Sequence, residues 1–152
     1  MSELKDRLRT DLTASMKARD EMGSSTLRMV LTAVTNAEVA GKQSRELSDE
    51  DVVGVLSAEA KKRREAAEAF DAAGRTEMAA KERAEAEILA DYLPEQLSED
   101  EIGALVRSTI ARLGVADDGM RALGKVMGAI QPQVRGRAEG GVVAAEVRRQ
   151  LG

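Results

Sequence analysis

The amino-acid sequence predicts an all-α chain: an N-terminal four-helix module with a long helical hairpin, followed by a small three-helix C-terminal module. Three observations point there. Of 152 residues only Phe70 and Tyr92 are aromatic, and strands draw on aromatic and β-branched side chains. Strong helix formers (Ala, Glu, Arg, Leu and Met) are abundant, whereas Pro occurs twice. Apolar residues recur at spacings of three and four along most of the chain, the period of an amphipathic helix.

The elements follow in order. Leu4, Leu8, Leu12 and Met16 make one stripe over residues 3–19. Gly23, Ser24 and Ser25 read as an interruption that offers an N-cap. In "TLRMVLTAVTNAEV" the β-branched residues keep a strand in play. Leu27, Val30, Leu31 and Val34 follow i, i+3, i+4, i+7 and favour a helix that Gly41 ends. Residues 41–48 read as a loop. Ser48 with Asp51 is a capping-box pair. It opens a long helix lined by Val52, Val53, Leu56, Ala60, Ala67 and Phe70 and stopped at Gly74. A helix over about 75–92 carries Met78, Ile88, Leu89 and Tyr92. Its surface pairs, Glu77–Lys81 and Arg83–Glu87, are worth ~0.2–0.5 kcal/mol each. Two long helices meeting at Gly74 predict an antiparallel hairpin.

"LPEQL" (Leu93–Leu97) marks the boundary, because Pro94 biases Leu93 away from helix. The expected organisation is a helical domain over 1–93, a linker over 94–97 and a small helical domain over 98–152. Ser98 and Glu101 form a full S-x-x-E box ahead of Ile102, Leu105, Val106 and Ile110, and Gly114 closes that helix. Two more helices are predicted near 121–131 and 140–150, with Pro132 and Gly136 between them.

Charge is unevenly spread. Residues 1–97 hold 15 Lys+Arg against 20 Asp+Glu, a balance of −5; residues 98–118 hold 2 against 5, or −3. Residues 119–152 hold 6 against 2, or +4, so the last third is the basic part of a chain whose net charge is −4. The chain has no Cys and no His. That excludes disulfides, thiolate nucleophiles, Ser-His-Asp constellations and the usual zinc sites. Two aromatics cannot build a base-stacking platform. "MSELKDRLRTDL" alternates charges without an apolar core and reads as neither signal peptide nor membrane anchor. A cytoplasmic protein with no membrane partner, no metal and no cofactor is expected.

Four motifs bear on chemistry. Gly119 to Gly124-Lys125 imitates the phosphate-binding G-x-x-x-x-G-K, but residue 126 is Val where a metal-binding hydroxyl is needed, and no strand precedes it. Gly124 and Gly128, four apart, read instead as close-packing positions on a helix. In "QVRGRAEGG", Arg135 and Arg137 flank Gly136, a pattern that suits a phosphate, since glycine frees the backbone and guanidinium forks fit oxyanions bidentately, and that reads equally as a solvated polar turn. "KKRREAAEAF" (Lys61–Phe70) reads as a solvated helix face, its charge offset by Glu65 and Glu68. Ser24-Ser25 reads as helix capping, not as an amidase nucleophile.

Three segments together, "LRMVLTAVTNAEV" (Leu27–Val39), "YLPEQLSEDEI" (Tyr92–Ile102) and "GKVMGAIQPQVRGRAEGG" (Gly124–Gly141), resemble the GatB/YqeY family over nearly the whole chain. The resemblance implies two all-helical modules. It also implies kinship with the C-terminal tail of the GatB component of the glutamine-dependent aspartyl/glutamyl-tRNA amidotransferase, and with a module appended to some glutaminyl-tRNA synthetases. In those settings the tail helps hold tRNA. The family label is carbon–nitrogen ligase with glutamine as amido-N-donor, yet the catalytic machinery lies outside the tail-like region. Glu139 departs from the Asp usual in the family before the last helix, and a slightly different cap is expected there.

The sequence therefore predicts a non-catalytic module binding the tRNA phosphate backbone or the tRNA-aminoacylation proteins. Lys125, Arg135, Gly136 and Arg137 are the candidate nucleic-acid contacts, supported by Arg121, Arg148 and Arg149; no residue is assigned a catalytic role. A protein-interaction module using the acidic hairpin 49–92 is the alternative, and an amidotransferase acting alone is a third reading.

Overall fold

The computed structural model describes residues 2–152, and among them it contains seven α-helices, one short 3-10 helix and no strand. The chain divides into two compact units, residues 1–93 and 94–152. The first holds α1 (Glu3–Lys17), α2 (Glu21–Val39), α3 (Asp49–Ala72) and α4 (Thr76–Ala90); the second holds α5 (Glu99–Leu113), the 3-10 helix Gly119–Ala122, α6 (Leu123–Val134) and α7 (Gly140–Leu151).

In the first unit Leu8 of α1, Leu27, Val30 and Val34 of α2, Val52 and Leu56 of α3 and Leu89 of α4 share one core, closed by Leu47 from the loop. "LRMVLTAVTNAEV" is helical throughout. Its β-branched residues pack in a core instead of a sheet, so tertiary burial overrides their strand preference. Gly23, Ser24 and Ser25 do not interrupt anything: they lie inside α2. Asp20 is the N-cap, its carboxylate accepting the Gly23 N–H at 3.0 Å. The chain turns one residue earlier, at Arg19, with φ +58°. Asp is as good a cap as Ser and sits nearer the turn, so it starts the helix first.

The Ser48–Asp51 capping box forms with both of its hydrogen bonds. Beyond it α3 and α4 run as a hairpin turned at Gly74, φ +76°. Their seam is made of Ala60 and Ala67 on α3 and Ala79 and Ala86 on α4, all buried. Such small residues let two helices approach closely. Arg83 bonds Asp71 across this hairpin, whereas the sequence pairs it with Glu87. Met78 is exposed, not core.

"KKRREAAEAF" is only partly a solvated face. Lys61, Lys62 and Arg64 are exposed, but Arg63 is 5% exposed. Its guanidinium donates to the Glu59 carboxylate and carbonyl at 2.8 and 2.9 Å. Its Nε lies 3.3 Å from buried Glu85 of α4, an ion pair without hydrogen-bond alignment. A second buried pair joins α1 to α2: Lys5 Nζ donates to both Glu38 oxygens at 2.8 and 3.0 Å. Glu38 also accepts the Leu47 N–H, and these contacts hold its carboxyl below the usual glutamate range.

In the second unit three helices each bury every fourth residue: Ile102, Val106 and Ile110; Val126, Ile130 and Val134; Val143, Val147 and Leu151. The Ser98–Glu101 capping box is complete, and Gly114 ends α5 in the left-handed region at φ +67°. Pro132 does not end the preceding helix, as the sequence suggested; it sits inside α6. It is exposed and near the C-terminal end. The carbonyl it fails to bond is that of Gly128, itself exposed, so water can satisfy it. Gly124 and Gly128 are not packing positions. Both are exposed, and a Cβ at either would meet nothing within 4 Å. Val126 and Ile130 take the buried face and leave these glycines outside.

Two outcomes follow for stability. Arg63→Leu should cost about 3 kcal/mol or more, because Glu85 is left buried without its cation; urea unfolding should recover much of that loss in Arg63→Leu/Glu85→Leu, and equal losses in both variants would contradict the pairing. Gly128→Ala should raise stability by about 0.5–1 kcal/mol by removing an exposed helical glycine, seen as a higher melting temperature.

Candidate nucleic-acid interface

The turn between α6 and α7 begins with Val134–Arg135–Gly136–Arg137. Arg135 has φ −57° and ψ 121°, Gly136 has φ +76°, and Arg137 N–H donates to the Val134 carbonyl at 2.8 Å. This is a type II turn, whose third position requires a positive φ and hence favours glycine. Gly136 therefore has a structural reason to be there.

The turn grips the segment that precedes α5. Leu97 N–H donates to the Arg137 carbonyl at 2.8 Å, Gln96 Nε2 to the Gly136 carbonyl at 2.8 Å, and Arg137 Nε to the Glu95 carbonyl at 3.0 Å. The segment expected as a linker, 94–97, is thus hydrogen-bonded into the second unit. Arg137 is half-buried and committed to this clamp through Nε. Its positive charge also helps hold the Glu101 carboxyl below the usual range, behind the two capping hydrogen bonds from Ser98.

The other candidates are dispersed. Arg121 and Lys125 share a shallow depression of about 340 Å³ with Val115, Asp118 and Ala122 at the start of α6. Arg121 Nε is steadied by the Asp118 carbonyl at 3.3 Å. Lys125 is exposed and, among the described residues, unpaired. Arg135 is also exposed, ten residues further on and so about 15 Å along the helix axis. Arg148 and Arg149 occupy the last turn of α7. Arg148 is exposed, whereas Arg149 is held by Glu146: Nε donates to Oε2 at 2.9 Å and Nη2 to Oε1. Among the six cations, Arg121 and Lys125 line one depression and Arg149 lines another. The structure brings Arg121 and Lys125 together and sets Arg135 and Arg137 at the far end of α6.

Two features escaped the sequence. Glu146 neutralises Arg149, an i, i+3 pair that a helical wheel could have flagged. The exposed backbone at Gly124 and Gly128 lies between the two basic ends of α6, and only the phase of the buried stripe reveals it. At the start of α7, Glu139 occupies the N-cap but its side chain makes no capping hydrogen bond. Its longer side chain does not reach back as Asp would.

Arg149 and Gln150 together pull the Glu146 carboxyl down to about 2 from 4.5. A lowered carboxyl contributes stability that is complete above about pH 4.5 and fades as pH falls toward 2. Thermal melts of the wild type and Glu146→Gln should therefore differ at pH 7 and converge near pH 2; parallel curves across that window would show the pair to be inert.

Among the described residues no helix is long and apolar enough to cross a membrane, and no group of acidic residues is arranged to hold a metal ion. Comparison with known proteins places this chain in a family. The profile of the YqeY-like proteins matches residues 5–151. A protein of Pyrenophora tritici-repentis named altered inheritance of mitochondria protein 41, mitochondrial, is 28% identical over 134 residues, 87% of this chain and 71% of that protein. An uncharacterized protein of Schizosaccharomyces pombe is 38% identical over 92 residues, 60% of this chain and 72% of that one. A Saccharomyces cerevisiae protein named like the first is 34% identical over 88 residues, 57% of this chain and 46% of its own length. With the family's profile covering all but the first few residues and the last, the chain belongs to the YqeY-like protein family.

Proposed function

We propose that this chain is a non-catalytic helical module of two functional parts, four helices and three, whose C-terminal part binds the phosphate backbone of tRNA. The carrying observation is the exposed face of α6. Arg121 and Lys125 stand at its start and Arg135 at its end, and the backbone between them is bare at Gly124 and Gly128. Cations 10 to 14 residues apart suit phosphates of a folded RNA, and missing side chains let a sugar–phosphate backbone come close. The reading gives the chain a positioning role in tRNA aminoacylation and no chemistry of its own. It places the protein with tRNA in the cytoplasm; the mitochondrial names belong to the fungal relatives.

A second reading has one specific observation behind it. Met16, Met22, Met29 and Met78 are exposed on the first unit, and flexible methionines suit adaptable protein-binding surfaces. The first unit would then dock a partner protein, with Met78 as the one of the four on the acidic hairpin 49–92.

Fluorescence anisotropy with total tRNA separates the two. Wild type should bind with micromolar affinity and strong salt sensitivity. Lys125→Gln/Arg135→Gln should weaken binding about tenfold and flatten the log–log salt slope by about 1.5. Arg137 is a poor choice for this test, since its loss also opens the clamp on Glu95. Gly128→Ala, though stabilising, should weaken binding as well. No tRNA binding at low salt, or an unchanged affinity in the double variant, contradicts the proposal.

A further inference from the structure

The α5–α7 side of the second unit differs from its α6 side. A groove of about 650 Å³ opens there, with Ile102 in its floor and Val142 and Ala145 along one wall. Val142 is 46% exposed, and Ala145 is exposed too. Glu99, Glu139 and Glu146 line the groove, and Arg149 is the cation among its lining residues. Arg149 is already spent on Glu146 through both carboxylate oxygens. Gln150 Nε2 adds a bond to Glu146 at 2.8 Å and one to the Gly103 carbonyl at 2.9 Å, so this wall is fixed before anything binds.

We infer that this groove docks a helical segment of a partner protein that presents apolar side chains flanked by lysine or arginine. Shape and charge are complementary to such a segment. Val142 and Ala145, exposed apolar side chains of α7, gain by leaving water. Three carboxylates against one cation leave the lining net negative, a charge that steers and orients a basic partner and repels a phosphodiester. Nucleic acid is thereby directed to α6, and the two surfaces of the unit can be occupied by different molecules. This docking role is independent of the tRNA reading, because it uses none of the residues assigned there except Arg149, whose charge Glu146 cancels.

The probes are three synthetic peptides of equal length: an amphipathic Leu/Lys helix, its Leu/Glu counterpart and a Ser/Lys peptide of the same charge. Each is titrated into the ¹⁵N-labelled full chain. The Leu/Lys peptide should bind and shift the amides of Ile102, Val142 and Ala145. The Ser/Lys peptide should bind about tenfold more weakly, since it lacks the apolar contacts, and the Leu/Glu peptide should not bind detectably. Val142→Ser and Glu99→Gln/Glu139→Gln should each weaken the Leu/Lys peptide about fivefold with an unchanged far-UV spectrum. Equal binding of Ser/Lys and Leu/Lys peptides would overturn the inference, as would shifts confined to residues 49–92. Shifts of the groove amides by total tRNA would assign it to nucleic acid and overturn it too.

Discussion

Three hydrogen bonds hold the second unit's working parts in place. The type II turn at Arg135–Gly136 presents the Gly136 and Arg137 carbonyls to Gln96 and Leu97, and Arg137 Nε returns to the Glu95 carbonyl. This one junction fixes the end of α6, the approach to α7 and the entry into α5 at Ser98. Backbone groups in a turn need partners, and here two sequence-distant loops supply them to each other. It also joins "LPEQL" to "VRG", stretches that lie within two of the segments carrying the family resemblance.

The junction divides the basic residues by role. Arg137 serves the fold, and Arg149 is cancelled by Glu146. Arg121, Lys125, Arg135 and Arg148 are exposed, as are Arg107 and Arg112 of α5, and Arg121 is steadied by a backbone carbonyl. Net charge overstates what a surface can offer when guanidiniums are engaged internally. The same logic applies in the first unit, where Arg63 looks like part of a basic run yet is a buried brace between α3 and α4.

Much of the fold was legible because its signals are local. Helical periodicity, the boxes at Ser48 and Ser98, and glycines at 74 and 114 act within a few residues. The misses came where two local signals competed or where burial decided. Asp20 outranked Ser24 and Ser25 as a cap. Pro132 stayed helical because the carbonyl it orphans is Gly128's, open to water. Gly124 and Gly128 looked like packing positions until the phase of Val126 and Ile130 placed them outside. For the candidate site the residue types were legible and their grouping was not. Spacing along the chain cannot tell that Arg137 reaches Glu95, 42 residues away in sequence.

The proposed tRNA-binding function turns on whether the exposed face of α6 carries the contact. Chemical-shift mapping of the ¹⁵N-labelled full chain with total tRNA at low salt reads this out residue by residue. Perturbations should concentrate at residues 121–137, with Gly124 and Gly128 among the most affected, and should fade as salt rises. Perturbations centred on residues 49–92, or none at all, would contradict it.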